Sequence, residues 1–536
     1  MILTIMAMIL LPLVMALLLW TPLRPLIVRA LGLAPAPGLL LLPAAWDGSY
    51  SSFALQGGWT YVLDQPGALM LAASTLLWII GGFAASRWLS GRADQARFAL
   101  WWLLTLSGSL GVFVAGDLVS FYALYALASL PAYGLIAFSD STEDKRAGRI
   151  TVAAALIGEG LILAAFVLLV ASAPGQGLAI AAVMNALPQS PHADIVIALV
   201  VIGFGLKIGL VPLHGWMPLS YVAGPLAATA VLSGATSKAG IIGLIRFLPH
   251  DEAMPMAGGL ILAAGLFSAF YGALLGLTQS NPRSVLAYSS VSQLGQMAAV
   301  LGAGLAAGAP GAGTIVAFYA VYHVLVKGGL FLMLGAKGQR IASWQLGLAG
   351  FMALGFAGLP LTGGALGKLA FKDMTGGGAT GVLFSLAAIG STVLMMHFLR
   401  LLRAAAAGPK QDLLSPAAWM AAAIVAMLLQ WSLFAAVTGG AATSALTPEV
   451  LFELAWPIAA GAVIAWGLAA AGTQLPRLSP GDVGARFIAV IEQQAPRLAS
   501  LMTRFETQAH QWPVSTLTMA AALILFVALQ AVLGPR

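Results

Sequence analysis

The chain of 536 residues has no cysteine and little charge. Without cysteine it can form no disulfide, no thiolate-held iron–sulfur cluster and no cysteine nucleophile. Its 25 Lys and Arg and 18 Asp and Glu make up 8% of the residues, against roughly a quarter in an average soluble protein. A soluble chain of this length would form about three or four domains, and the polar surface is too small to cover them. The net charge of +7 does not point to nucleic acid, because Lys and Arg do not cluster on a face with aromatics between them. No phosphate-binding loop is recognisable either. GGGATG and GAGLAAG lie in apolar context and read as helix-packing or turn residues.

What is abundant is apolar: 60% of the residues are hydrophobic, and the mean hydropathy is +0.95. A bilayer-crossing helix needs about 20 largely apolar residues. Such runs occur at about 2–20, 25–43, 66–86, 98–115, 118–138, 150–173, 194–219, 225–247, 257–278, 285–308, 312–336, 342–374, 379–402, 416–437, 454–472 and 513–533. The expected fold is therefore an all-α polytopic membrane protein with about 16 transmembrane helices. Residues 1–20 lack a basic start and a small-residue cleavage site, so they read as the first spanning helix and not as a signal peptide.

The loops orient the chain. If both termini lie outside, the inside stretches collect Arg24, Arg29, Arg87, Arg92, Arg97, Lys145, Arg146, Arg149, Arg283, Lys337, Arg340, Arg400, Arg403, Lys410, Arg477, Arg486, Arg497 and Arg504. The outside loops at 44–65, 174–193, 309–311 and 438–453 hold no Lys or Arg. The expected location is a bacterial inner (cytoplasmic) membrane.

Two spanning segments are interrupted: 194–219 by Pro212 and Pro218, and 342–374 by Pro360 in GLPLTGGALGK. Unwound backbone inside a membrane is tolerated only where protein or a water cavity satisfies it. Broken helices five segments apart point to two inverted five-helix repeats, at 98–247 and 257–402. Residues 1–97 form an N-terminal set of helices and 403–536 a C-terminal set. Within the latter, about 481–512 has the pattern of an amphipathic helix on the inner surface.

Ionisable residues inside the bilayer are expensive and are functional candidates by default. Lys207 precedes the first break, Lys238 lies in the next helix, and His323 and Lys327 are one turn apart and share a face. Lys368 follows the second break, and Glu159 lies deep in AAALIGEGLILAAF. His214, beside the first break, is open to a packing or a functional reading. His397 reads as a packing residue, Lys372 and Arg246 as snorkelling side chains near helix ends, and Asp117 as a helix cap or interface residue. Buried lysines with a water-accessible histidine suit proton movement. Burial favours the neutral amine and a nearby carboxylate the ammonium, so moving the carboxylate switches the site. A site made mainly of lysines repels Na⁺. No cofactor or metal site is expected.

At these residues the chain resembles the antiporter-like subunits of respiratory complex I, shared with Mrp-type cation/proton antiporters and membrane-bound hydrogenases. The resemblance covers roughly residues 60–405 and is carried by KIGLVPLHGWMP…GPLAATAVLSGATSK, SVLAYSSVSQLGQM, YHVLVKGGLFLMLGA and GLPLTGGALGK, in that order. It implies fourteen core helices in two inverted halves. It also implies that Lys207 is the first-half proton-holding lysine and Lys238 the connecting one, with His323 and Lys327 on a central polar axis and Lys368 at the terminal site. The family's Glu, five residues before the proline of the fifth helix, is replaced here by Ala126. Glu159 is then the candidate carboxylate for Lys207.

The expected function is proton translocation within a multi-subunit, NADH:quinone oxidoreductase-like complex, by a subunit that does not itself move electrons. Its expected partners are other membrane subunits of a complex I-like, hydrogenase-like or Mrp-like assembly, the lipid bilayer and protons. The alternatives are a Mrp-type Na⁺/H⁺ antiporter component, an inorganic-carbon uptake subunit or other solute carrier, and a haem-carrying anchor using His323 with His397 or His214.

Overall fold

The computed structural model describes residues 1–48, 50–55, 58–335, 341–404, 416–471 and 476–478. It opens with α1 (Ile2–Leu18), α2 (Arg24–Arg29), α3 (Ala44–Asp47) and an antiparallel hairpin, β1 (Ser51–Ala54) and β2 (Thr60–Leu63). Next come α4 (Gln65–Leu89), α5 (Gln95–Gly111), α6 (Leu118–Ser129), α7 (Ala132–Ile136), α8 (Thr142–Ser172), α9 (Ile180–Ala186) and α10 (Ala193–Ile208). The middle of the chain forms α11 (Trp216–Val222), α12 (Leu226–Val231), α13 (Lys238–Phe247), α14 (Pro255–Leu277), α15 (Pro282–Ala307) and α16 (Ala312–Gly335). The remaining described helices are α17 (Ser343–Gly355), α18 (Gly363–Thr375), α19 (Gly378–Ala404), α20 (Pro416–Thr438) and α21 (Pro448–Ala470).

Among the described residues, ten helices, some of them joined pairs such as α12–α13, are long and apolar enough to cross a membrane. The chain is a polytopic, multi-pass membrane protein. The expected amphipathic segment at 481–512, the last helix at 513–533 and the C-terminus lie outside the described residues.

Helix starts follow side-chain caps. Asp64, Asp117, Ser141, Asn281 and Thr362 each accept a hydrogen bond from a backbone N–H of the first turn they precede. Residues 25–43 are not the single spanning helix expected. Six residues of α2 are followed by 3₁₀ turns at Leu31–Leu33 and Ala36–Leu41. Pro35 and Pro37 supply no N–H, and 3₁₀ geometry runs only in short pieces.

Both interrupted helices are present. After α10 the chain turns at Gly209, whose φ of +67° suits glycine, and resumes at α11. The Trp216 indole donates to Leu206 O (2.7 Å) and Val211 N–H donates to Ser268 Oγ (2.9 Å), so backbone groups around the break find partners within the protein. The second break separates α17 from α18, with Gly358 at φ +96° and Trp431 donating to Leu361 O (3.1 Å). The segment from α12 through α13 and the helix α16 are almost wholly buried, whereas few residues of α21 are buried. The ionisable residues of interest therefore sit in and around the innermost helices.

Candidate functional site

The row begins where α8 and α10 touch. A Cβ on Gly158 would lie 3.1 Å from Gly203 O, and one on Gly203 would lie 2.8 Å from Ile162, so this approach depends on small residues. It brings Glu159 and Lys207 to one region. The Lys207 ammonium donates to Ser129 Oγ at 2.7 Å and lies 5.4 Å from the Tyr125 ring centroid. Glu159 is buried, its Oε1 has no protein partner, and its electrostatic partner is Lys207. No carboxylate among the described residues lies within ion-pair distance of Lys207, so the Ser129 hydroxyl is its direct partner. Ala126 lies on the face of α6 that carries Tyr122 and Ser129, and it is only half-buried.

A cavity with about 40 Å³ of room for water adjoins Lys207 and is lined by Ser129, Thr151, Tyr221, Thr236 and Ser237. That is space for about two or three water molecules. Lys238 does not line it but is hydrogen-bonded to Ser237, which does. The helix widens to π geometry over Leu232–Thr236 just before Lys238, and such widened turns often mark functional sites. Lys238 Nζ donates to Ser233 O (3.2 Å) and Ser237 Oγ (3.1 Å) and approaches His323 Nδ1 to 2.5 Å. A Cβ on Gly240 would meet the Lys207 Cβ at 3.0 Å, so α13 passes directly beside α10.

His323 and Lys327 share a face of α16, as their spacing required. His323 Nε2 has no protein partner. Lys327 Nζ donates to Ser289 Oγ (2.9 Å) and Leu286 O (3.2 Å) and lies 4.4 Å from the Phe356 ring centroid at the second break. On α15, Ser289, Gln293 and Gln296 recur at i, i+4 and i+7 and form one polar stripe. Gln293 accepts from the Tyr319 hydroxyl and donates to Ser391 Oγ (3.1 Å). Gln296 Oε1 accepts from Lys368 Nζ at 3.2 Å.

Lys207, Lys238, Lys327 and Lys368 thus fall in chain order along one polar region, with Glu159 at one end and His323 at its centre. His214 packs against Tyr271 (4.8 Å between ring centroids) and Tyr288 (6.2 Å) and makes no hydrogen bond or ring contact with the lysines. His397 is a packing residue, its Nε2 on Gln279 O (2.8 Å) and its Nδ1 on Arg400 (3.1 Å). Asp117 is a buried helix cap that accepts from Thr60 N–H (2.7 Å), Val119 N–H (3.0 Å) and Ser120 N–H (2.8 Å).

Arg246 does not snorkel. Its side chain is 6% exposed and binds Asp64 (3.2 Å) and the carbonyls of Val112 (3.4 Å), Phe113 (2.6 Å) and Ala115. It clamps the ends of α4 and α5 to α13. Ser129, Ser237, Ser289 and Gln296 escaped the charge search because they are neutral. The last two lie within SVLAYSSVSQLGQM, which could have pointed to them.

Fold and site together define a mostly helical polytopic membrane protein, its one described hairpin set against the all-α expectation, with a row of buried and half-buried ionisable groups. The chain belongs to the NADH:quinone oxidoreductase/Mrp antiporter transmembrane family, whose model matches residues 115–394. It is 28% identical over 278 residues to NADH-quinone oxidoreductase subunit N of Desulforudis audaxviator, a match covering 49% of this chain and 52% of that subunit. Its identity to a Na(+)/H(+) antiporter subunit of Alkalihalophilus pseudofirmus is 26% over 333 residues, covering 58% of this chain and 66% of that one. The matches thus span between half and two thirds of these two relatives. In structure, the chain is similar over its whole length to 63% of a chain in the Mrp complex from Dietzia sp. DQ12-45-1b, with a TM-score of 0.73 and 21% identity. It also resembles a chain of the membrane-bound sulfane sulfur reductase, an archaeal respiratory membrane complex, with a TM-score of 0.65 and 18% identity, covering 85% of this chain and 99% of that one. Both neighbours come from membrane complexes.

Proposed function

We propose that the chain is a proton-translocating, antiporter-like subunit of a multi-subunit, NADH:quinone oxidoreductase-like complex in the bacterial inner membrane. In this reading the N-terminus is outside, and about 16 helices include two inverted repeats at 98–247 and 257–402, each with one of the two breaks. The observation that carries the proposal is the row formed by the buried Lys238 and Lys327 and the half-buried Lys207 and Lys368, with hydroxyl, imidazole and amide groups in contact with them. Glu159 holds the Lys207 site as an ammonium. When that influence weakens, the ammonium gives its proton to water in the adjoining cavity and becomes a neutral amine. The proton passes by way of Ser237 to Lys238, then by His323 towards Lys327 and along the Ser289–Gln293–Gln296 stripe to Lys368. His214, beside Tyr271 and Tyr288, has a lesser role, in access from the first break.

The test is proton flux in vesicles containing the assembled complex. Lys238→Met breaks the row at its centre, and flux is expected to fall at least about tenfold with normal chain levels; unchanged flux overturns the proposal. A second reading, a Mrp-type Na⁺/H⁺ exchanger component, is favoured by the similarity to a Na⁺/H⁺ antiporter subunit and to a Mrp complex along the whole chain. Flux that requires Na⁺ on the opposite side selects it.

A further inference from the structure

Lys372 stands where the charge pattern has no place for it. In the orientation proposed above, α18 runs outward, and Lys372 is the one exposed Lys or Arg side chain on the outer side among the described residues. It pairs with Glu453 on the first turns of α21, Nζ donating to Oε2 at 2.7 Å, with side-chain exposures of 55% and 49%. Lys372 is one turn beyond Lys368 on the same face of α18. The stem of Lys368 and the side chain of Leu454, next to Glu453, converge on Gly358 in the second break: a Cβ there would lie 2.8 Å from Lys368 Cδ and 3.8 Å from Leu454 Cδ2. Lys368 itself is only partly buried. An exposed ion pair adds little stability, so stability alone does not account for a cation on this face.

We propose that Lys372 and Glu453 form an outer gate for the Lys368 site, an inference that rests on the proton-translocating reading. With the pair intact, the route from Lys368 to the outer face is shut. When it parts, water held by the Glu453 carboxylate takes a proton from Lys368 Nζ. The N–H bond breaks, an O–H bond forms, Lys368 is left as a neutral amine and hydronium departs outward.

The cysteine-free chain allows a direct test. Lys368→Cys gives the full chain, in its complex, a single thiol for a membrane-impermeant cationic methanethiosulfonate added from outside. We expect modification at least about tenfold faster when Glu453→Gln or Lys372→Met is added. The charge-swapped pair, Lys372→Glu with Glu453→Lys, should return it to the slow rate. Equal rates in all backgrounds, including no modification in any, overturn the gate. In chains keeping Lys368, Glu453→Gln, which removes the carboxylate that holds the accepting water, should lower outward proton release about tenfold and the swap should restore it, with membrane levels of the chain checked throughout; wild-type release in Glu453→Gln also overturns the gate. Failure of the underlying reading looks different: Lys368→Met would leave proton flux unchanged, whatever the labelling rates.

Discussion

Replacing Glu159 by Gln keeps the shape of the side chain and removes its charge, so the fold should survive while Lys207 loses its nearest carboxylate. Glu159 lies beyond ion-pair distance of Lys207, with Ser129 as the direct partner of the ammonium. For unit charges somewhat beyond ion-pair distance, about 5–8 Å apart, at an effective dielectric of about 20, the attraction lost is about 2–3 kcal/mol. That shifts the proton equilibrium at Lys207 about 100-fold. If loading of Lys207 limits the first half of the path, flux in vesicles carrying the complex should fall by about 30- to 100-fold, on the order of that equilibrium shift.

The decisive variant adds Ala126→Glu to Glu159→Gln. Position 126 faces the same space from α6, in line with Tyr122 and Ser129, so a carboxylate returned there should bring flux back to within about threefold of wild type. Asp117→Asn is the control. Asparagine keeps the cap on Val119 and Ser120 but turns an amide N–H against the Thr60 N–H, so the chain should lose some stability while flux per folded chain stays unchanged. Wild-type flux in Glu159→Gln at normal chain levels would refute the assignment. No rescue by Ala126→Glu would refute the claim that Glu159 fills the vacated position.

Other outcomes follow from individual contacts. His323→Gln removes the closest partner of Lys238 but leaves Ser233 O and Ser237 Oγ, so flux should fall about tenfold without loss of the folded chain, read as flux per assembled complex. Arg246→Gln strands Asp64 and the carbonyls of Val112, Phe113 and Ala115, and should destabilise the chain by about 3 kcal/mol, measured as thermal inactivation in detergent; a snorkelling arginine would show no such loss. Gly240→Ala places a methyl 2.7 Å from Ile208 Cγ2 and 3.0 Å from Lys207 Cβ, and should cost about 1–3 kcal/mol of stability by forcing α13 from α10.

The ionisable residues were legible in the sequence because the bilayer makes them so: a Lys amid twenty apolar residues is too costly to be incidental. The breaks were legible for a related reason, since proline cannot donate to the helical ladder and its position can be read directly. Residues 25–43 show the limit of that signal. Apolar content predicts a spanning segment there, whereas Pro35 and Pro37 divide it into short turns. Arg246 shows another limit. Its place near a helix end is shared by a side chain reaching for headgroups and one reaching for three carbonyls more than 130 residues earlier, and only the folded arrangement separates them.

What no charge search could find are the neutral groups that join the lysines. A serine in an apolar helix can satisfy its hydroxyl on a carbonyl four residues back, as Ser129 does with Tyr125 O at 2.9 Å, so its presence costs little and signals little. Yet that hydroxyl is also the direct contact of Lys207, and on α15 Ser289 contacts Lys327 and Gln296 contacts Lys368, with Gln293 between them. If the lysines alone carried the protons, Gln296→Leu would be harmless, since leucine fits its buried position and Lys368 keeps its charge. If the stripe is part of the path, the same change should lower flux as much as losing a lysine, about tenfold or more, with no loss of thermal stability. Measuring flux and stability on that one variant separates a chain of charges from a chain of hydrogen bonds, and the geometry of α15 argues for the second.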